Sequence, residues 1–157
     1  MPKTLLIEIL DEQDELEVDL EQVRLVCKKI LDDSQIRTGN INIVFVNSET
    51  IHQYNVDFLH HDYPTDVISF MIEDRRHKHH LEGEVLVCTE IAKERAKEFG
   101  WTPLEETLLY VIHGTLHLVG FDDKTADLQE AMREKERKYL QFIGIDPPHW
   151  NWDDWEA

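Results

Sequence analysis

Cysteine is scarce in this chain: Cys27 and Cys88 are the only two in 157 residues. They lie far apart and form neither a C-x2-C pair nor a secreted disulfide framework, so both are read as buried thiols of a reducing compartment. Long hydrophobic runs are also missing. No stretch approaches the ~20 apolar residues of a membrane span, and the N-terminus lacks the basic-then-apolar order of a signal peptide. A cytoplasmic protein with no membrane partner is therefore expected. Positive charge is the third shortage. Lys and Arg number 16 against 33 Asp and Glu, a formal net charge of −17 with His neutral. Such a field repels polyphosphate at long range, so a nucleic-acid role requires a locally basic or metal-bearing patch. At this length roughly 70% of the unfolded chain's surface is buried on folding, enough for one core without staples.

The patterns present describe an α+β chain. TLLIEIL (residues 4–10) reads as a strand, and an acidic stretch follows it. From Asp19, the residues Leu20, Val23, Cys27, Ile30 and Leu31 recur at helical spacing until Gly39 and Asn40 break the pattern. INIVFV (41–46) reads as a strand covered on both faces, and Ser48 as the cap of a short helix whose inner face carries Ile51, Tyr54 and Phe58. Residues 66–72 and 84–88 are two more strands, joined by the polar connection EDRRHKHHLEG. Ile91, Ala92, Ala96 and Phe99 mark a helix that Gly100 stops, and Pro103 opens the next one. Residues 104–119 are apolar on nearly every side, as in a central core helix, whereas Leu128, Met132, Tyr139 and Ile143 give the last helix a single stripe. The order β-α-β-α-β-β-α-α-α predicts a mixed sheet of about four strands packed with about five helices. There are no internal repeats. Residues 1–145 are read as one domain, and residues 146–157 as an acidic, Trp-rich tail whose Trp150, Trp152 and Trp155 are expected to pack on the protein itself.

Chemistry concentrates in VIHGTLHLVGFDD (111–123). His113 and His117 are four apart, so on a helix both imidazoles leave one face and can grip one ion. Gly120 can take a backbone conformation closed to other residues and bring Asp122 or Asp123 round to them. Two neutral imidazoles and one carboxylate form a three-ligand zinc set with room for a water, whose pKa such an ion lowers to near 7. The expected metal site therefore lies at the end of the central helix. A zinc peptidase uses the same ligand spacing, but its general base follows the first His, where this chain has Gly114.

These residues resemble the bacterial YbeY endoribonucleases and rRNA maturation factors. Their signature H-G-x-L-H-L-x-G-[FY]-D-H stands here as HGTLHLVGFDD, with Asp123 in place of the last His. DYPTDVISF (62–70) is similar to the family's PTDVLSF segment, GEVLVC (83–88) to its GDIVI strand, and Met132, Glu136, Leu140 and Gly144 keep the spacing of its last helix. The resemblance implies one Zn2+ held by His113, His117 and Asp123 as the catalytic centre. It implies action on single-stranded RNA, namely ribosomal RNA at the 3′ end of the small-subunit species. It also implies a role in ribosome quality control, and small-subunit or assembly-factor partners. Leu59 occupies a position where the family commonly carries an Arg, so another cation is needed at the phosphate. His60 and His61 are candidates, and Arg75, Arg76 and Lys78, with His77, His79 and His80, form a further basic cluster for RNA contact. Thr65, Asp66 and Ser69 read as turn and cap residues, with Asp66 also able to orient a zinc-bound His. Asp122 could cap the helix beginning near Thr125 or act as an alternate ligand. A non-catalytic, zinc-stabilised ribosome-assembly factor is the competing function.

Overall fold

A computed structural model describes residues 4–59 and 66–147. The elements are β1 (Leu5–Asp11), α1 (Leu20–Asp33), β2 (Thr38–Val46), α2 (Ser48–Leu59), β3 (Val67–Arg75), a 3-10 turn (Arg76–Lys78), β4 (His80–Cys88), α3 (Thr89–Phe99), α4 (Pro103–Leu118) and α5 (Ala126–Phe142). The predicted order of elements stands. The strands form one mixed sheet, β1-β2-β4-β3, in which β1, β2 and β4 run parallel and β3 is antiparallel to β4. His60, His61, Pro64, Thr65, Trp150, Trp152 and Trp155 lie outside the described residues.

Alternation along the strands sends Ile41, Ile43, Leu81 and Val85 to one face, where α1 and α4 close the larger core. Val44, Val46, Leu86 and Cys88 point the other way and meet Ile51 of α2. Both cysteines are buried and unbridged, and burial pushes the Cys27 thiol up to about 12.

Four local readings are corrected. The first helix ends at Asp33, and Gly39 lies inside β2 with φ +133°, where an added Cβ would fall 1.8 Å from the Leu81 carbonyl oxygen. Gly39 is thus a close-approach strand residue, not a helix breaker. Asn47, not Ser48, caps α2: its Oδ1 accepts from the Thr50 amide at 2.8 Å, while the Ser48 amide and hydroxyl donate to Glu90. The polar connection is shorter than its composition implies, because backbone pairing continues to Arg75 and resumes at His80. Finally, Leu128 is exposed, and the inner line of α5 is Met132, Arg133, Glu136, Tyr139 and Leu140.

Helix α4 begins with a capping box. The Glu105 amide donates to Thr102 Oγ1 at 3.2 Å, and the Thr102 amide donates to Glu105 Oε1 at 2.9 Å. One turn further in, Glu106 is fully buried. Trp101 Nε1 donates to its Oε1 at 2.7 Å, and the buried Tyr110 hydroxyl is its neighbour on the same helix. Burial pushes the Glu106 carboxyl up to about 7 against the opposing bond from Trp101. Because the folded protein favours the protonated acid, stability from this group is complete below the unfolded value of 4.5 and is lost as pH rises through about 7. Glu106→Gln should therefore gain on the wild type by roughly 3 kcal/mol between pH 4 and pH 8. Urea unfolding across that range is the measurement, and a pH-independent difference between the two proteins would refute the assignment.

Candidate metal centre

Helix α4 places His113 and His117 one turn apart on the same side, with ring centroids 4.6 Å apart and planes near perpendicular at 75°. The chain then reverses. The Gly120 amide donates to the His117 carbonyl and the Phe121 amide to that of Leu116, with Gly120 at φ +111°. Asp122 braces the next step by accepting the Asp123 amide at 2.7 Å. Thr125, rather than Asp122, caps α5 through the Leu128 amide, and Asp123 is the carboxylate that faces the imidazoles.

Three donor atoms converge. His113 Nε2 and His117 Nε2 are 3.1 Å apart, and Asp123 Oδ2 lies 3.6 Å from each. Ligands held at about 2.0–2.1 Å by one tetrahedral ion stand about 3.3 Å from one another, so this triangle fits a divalent cation. The set can hold a metal ion. Burial, followed by the neighbouring His113, holds the His117 imidazolium below its ordinary pKa, which favours the neutral ring that a metal requires.

Orientation comes from α5. His113 Nδ1–H donates to Glu136 Oε2 at 2.8 Å, leaving Nε2 with its lone pair toward Asp123 and His117. Arg133 grips the other oxygen of the same carboxylate. Glu136 and Arg133 are 0% and 2% exposed, so this ion pair is closed off from water. Reading the sequence as ligand spacing missed both residues. The available signal was an acid in the middle of the line Met132, Glu136, Leu140, where an apolar side chain would otherwise belong. At His113 Nδ1 the orienting carboxylate is Glu136, and Asp66 follows its turn reading. Its carboxylate accepts the Val67 amide at 2.8 Å, as the turn reading anticipated, and its charge favours the protonated form of Arg133. Ser69 is not a cap: its hydroxyl donates to the Gly114 carbonyl at 2.9 Å and ties β3 to α4.

Gly114 closes the peptidase alternative sterically. A Cβ there would fall 2.4 Å from Val85 Cγ1 and 3.0 Å from Val67 Cγ2. The position faces the sheet, and no general base fits it.

The basic cluster divides. Arg76 Nη1 lies 2.3 Å from where a Cβ of Gly120 would stand, so its guanidinium covers the turn that carries Asp123 round. Arg76 is also held by Asp74 through Nε and Nη2, each at 2.8 Å, and this holds the Asp74 carboxyl down at about 2. Arg75 instead binds Glu73, and Lys78 is the last residue of the 3-10 turn.

Comparison with known proteins gives a consistent pattern. The family described as Endoribonuclease YbeY matches residues 8–144. An Endoribonuclease YbeY of Rhodopirellula baltica is 44% identical over 118 residues, 74% of this chain and 60% of that protein. The one from Protochlamydia amoebophila is 34% identical over 134 residues, 85% of this chain and 89% of its own length. The solution structure of TM1509 from Thermotoga maritima superposes with a TM-score of 0.61 at 30% identity, covering 93% of this chain and all of that one.

Two substitutions test the geometry. Glu136→Gln keeps the shape but removes the charge behind His113, and should weaken Zn2+ binding by about tenfold to a hundredfold in calorimetry. Unchanged affinity in a folded variant would sink the orienting role. Gly114→Ala drives a methyl into Val85 and should cost about 1–3 kcal/mol in chemical denaturation. A neutral result would mean that α4 does not seat on the sheet this closely.

Proposed function

The chain belongs to the YbeY endoribonuclease family, and on that premise we propose that it is a zinc-dependent endoribonuclease of single-stranded RNA. Its substrate is ribosomal RNA, at the 3′ end of the small-subunit species, and it acts in the cytoplasm in ribosome maturation and quality control. The observation that carries this reading is the convergence of His113 Nε2, His117 Nε2 and Asp123 Oδ2 over a buried Glu136. We assign residues 1–145 to one hydrolase domain, supported by the family match over residues 8–144.

His113, His117 and Asp123 would hold the ion. When bound, it supplies a Lewis acid that polarises a phosphodiester oxygen or acidifies a water. The chain's own residues do the rest. Glu136 keeps the His113 proton on Nδ1, so Nε2 remains a donor to the metal throughout. Asp123 brings one negative charge where the family signature has a neutral His, which lowers the net charge of the loaded site by one. Arg76, seated on Gly120, is the cation next to the site among the described residues of the basic cluster, and it answers for the Arg that Leu59 replaces.

The competing reading, a non-catalytic zinc-stabilised assembly factor, draws on Leu59 and on the net charge of −17. A donor set of three among the described residues favours the hydrolase, because three protein ligands leave a coordination position for solvent or substrate.

Cleavage of a single-stranded RNA by the purified protein should disappear with a chelator and in both His113→Ala and His117→Ala. Arg76→Ala should lower kcat/KM by about tenfold, the cost of one charge-assisted hydrogen bond. Asp74→Asn, which releases Arg76, should change it in the opposite direction. Activity that survives both histidine variants, with the protein folded, would overturn the proposal.

A further inference from the structure

The hairpin of β3 and β4 carries a second group of ligand-type side chains. It lies on the face of the sheet opposite the histidine pair. A bulge sets this up: the register slips between Met71 and Glu73, so that Glu73 stands opposite Glu82, Asp74 opposite Leu81, and Arg75 opposite His80. Leu81 and Val85 belong to the α4 core, and Gly83 meets Leu118 of α4. By strand alternation His80 and Glu82 point to the other side.

Carboxylates directly opposite each other on neighbouring strands repel. Here Glu73 and Glu82 remain together around an imidazole. His80 Nε2 lies 3.0 Å from Glu82 Oε2 and 3.7 Å from Glu73 Oε2, and the three donor atoms fall within 4.8 Å of one another.

Three neighbours prepare this cluster for an ion. Thr38 Oγ1 engages His80 Nδ1 at 2.8 Å, so Nε2 is the nitrogen turned toward the carboxylates. Arg75 Nε donates to Glu73 Oε1 at 2.7 Å, while Oε2 is the oxygen that faces His80. Asn40, paired in register with Glu82 on β2, has a buried Oδ1 with no hydrogen-bond partner. An orphaned acceptor at the strand position next to Glu82 is suited to a cation or to a water bound to one.

The geometry points to a second divalent-cation site made by Glu73 Oε2, His80 Nε2 and Glu82 Oε2, separate from the His113, His117 and Asp123 group. Two carboxylates and one imidazole suit Mn2+ or Zn2+ better than Mg2+, which seeks oxygen ligands. Bound there, the ion cancels the like-charge pair and clamps β3 to β4 beyond the bulge. This braces the turn that presents Arg76 to Gly120 on the opposite face.

The test uses the full chain loaded with one equivalent of Zn2+ and titrated with Mn2+, read by paramagnetic broadening of amide resonances. One Mn2+ should broaden residues 38, 40, 73, 80 and 82 first. The apparent Kd should rise at least about tenfold in His80→Ala and in Glu82→Gln, and less in Thr38→Val. These side chains are partly exposed, at 18% for His80 and 34% for Glu82, so melting temperatures should stay near the wild type and confirm folded variants. Broadening confined to residues 113–123 would report exchange at the first site and overturn the second. So would broadening spread along the acidic segment 11–17, or an affinity indifferent to both His80 and Glu82.

Discussion

The site depends on a buried chain of charge running from Arg133 through Glu136 to His113. Removing a carboxylate and a guanidinium from water costs several kcal/mol per ion, and the cost is offset only when every lone pair and proton finds a partner. Glu136 meets that condition with one oxygen on Arg133 and the other on His113. Two consequences follow. Helix α5 cannot rotate or slide against α4 without breaking the Glu136–His113 bond, so the chain fixes the helix pair as well as the ring. And because Nδ1 donates to Glu136, Nε2 is the nitrogen turned toward Asp123 and His117.

The seat of α4 is the second constraint. Gly114 lets the helix approach Val85 and Val67, and Gly83 does the same for Leu118 from the sheet side. Two missing side chains at facing positions allow a contact that no pair of larger residues could make without moving the helix outward. Ser69 then ties the Gly114 carbonyl to β3. That close seat decides the chemistry of position 114: because it points into the sheet, the residue following the first histidine cannot serve as a base. The sequence argument from the absence of a Glu and the packing argument from the absence of space reach the same exclusion independently.

Much of this was legible in the residues. Helical spacing and the Gly120 turn pointed to His113, His117 and one of Asp122 or Asp123, because a repeat of four on a helix and a glycine bend are local facts, and the family resemblance singled out Asp123. The element order was equally local. What escaped were matters of partnership across the chain. Gly39 looked like a helix stop because its close neighbour, the Leu81 carbonyl, is far away in sequence. Leu128 fitted an apolar stripe but faces solvent, whereas Arg133 and Glu136 lie inside because they have each other. Polar residues 73–83 read as a loop, yet backbone pairing needs no apolar side chains, and the strands extend through most of them. His60, His61 and the tryptophans of the tail lie outside the described residues.

The bulge after Met71 is what gives Arg76 its anchor on the face of the sheet that carries α4. Without it, alternation would put Glu73 and Arg75 on the face of α4 and send Asp74 to the other. With it, Asp74 turns to the α4 side and binds Arg76 there, while Glu73, Arg75, His80 and Glu82 gather behind the sheet. The hairpin thereby places the Asp74–Arg76 ion pair beside Gly120 and keeps Glu73 and Glu82 behind the sheet. At an ionic strength where fields decay within about 10 Å, this local sorting, rather than the net charge of −17, governs what a phosphate meets at the site. One inserted residue in an edge strand thus decides which charged pair stands against the Gly120 turn, from outside the motif that contains it.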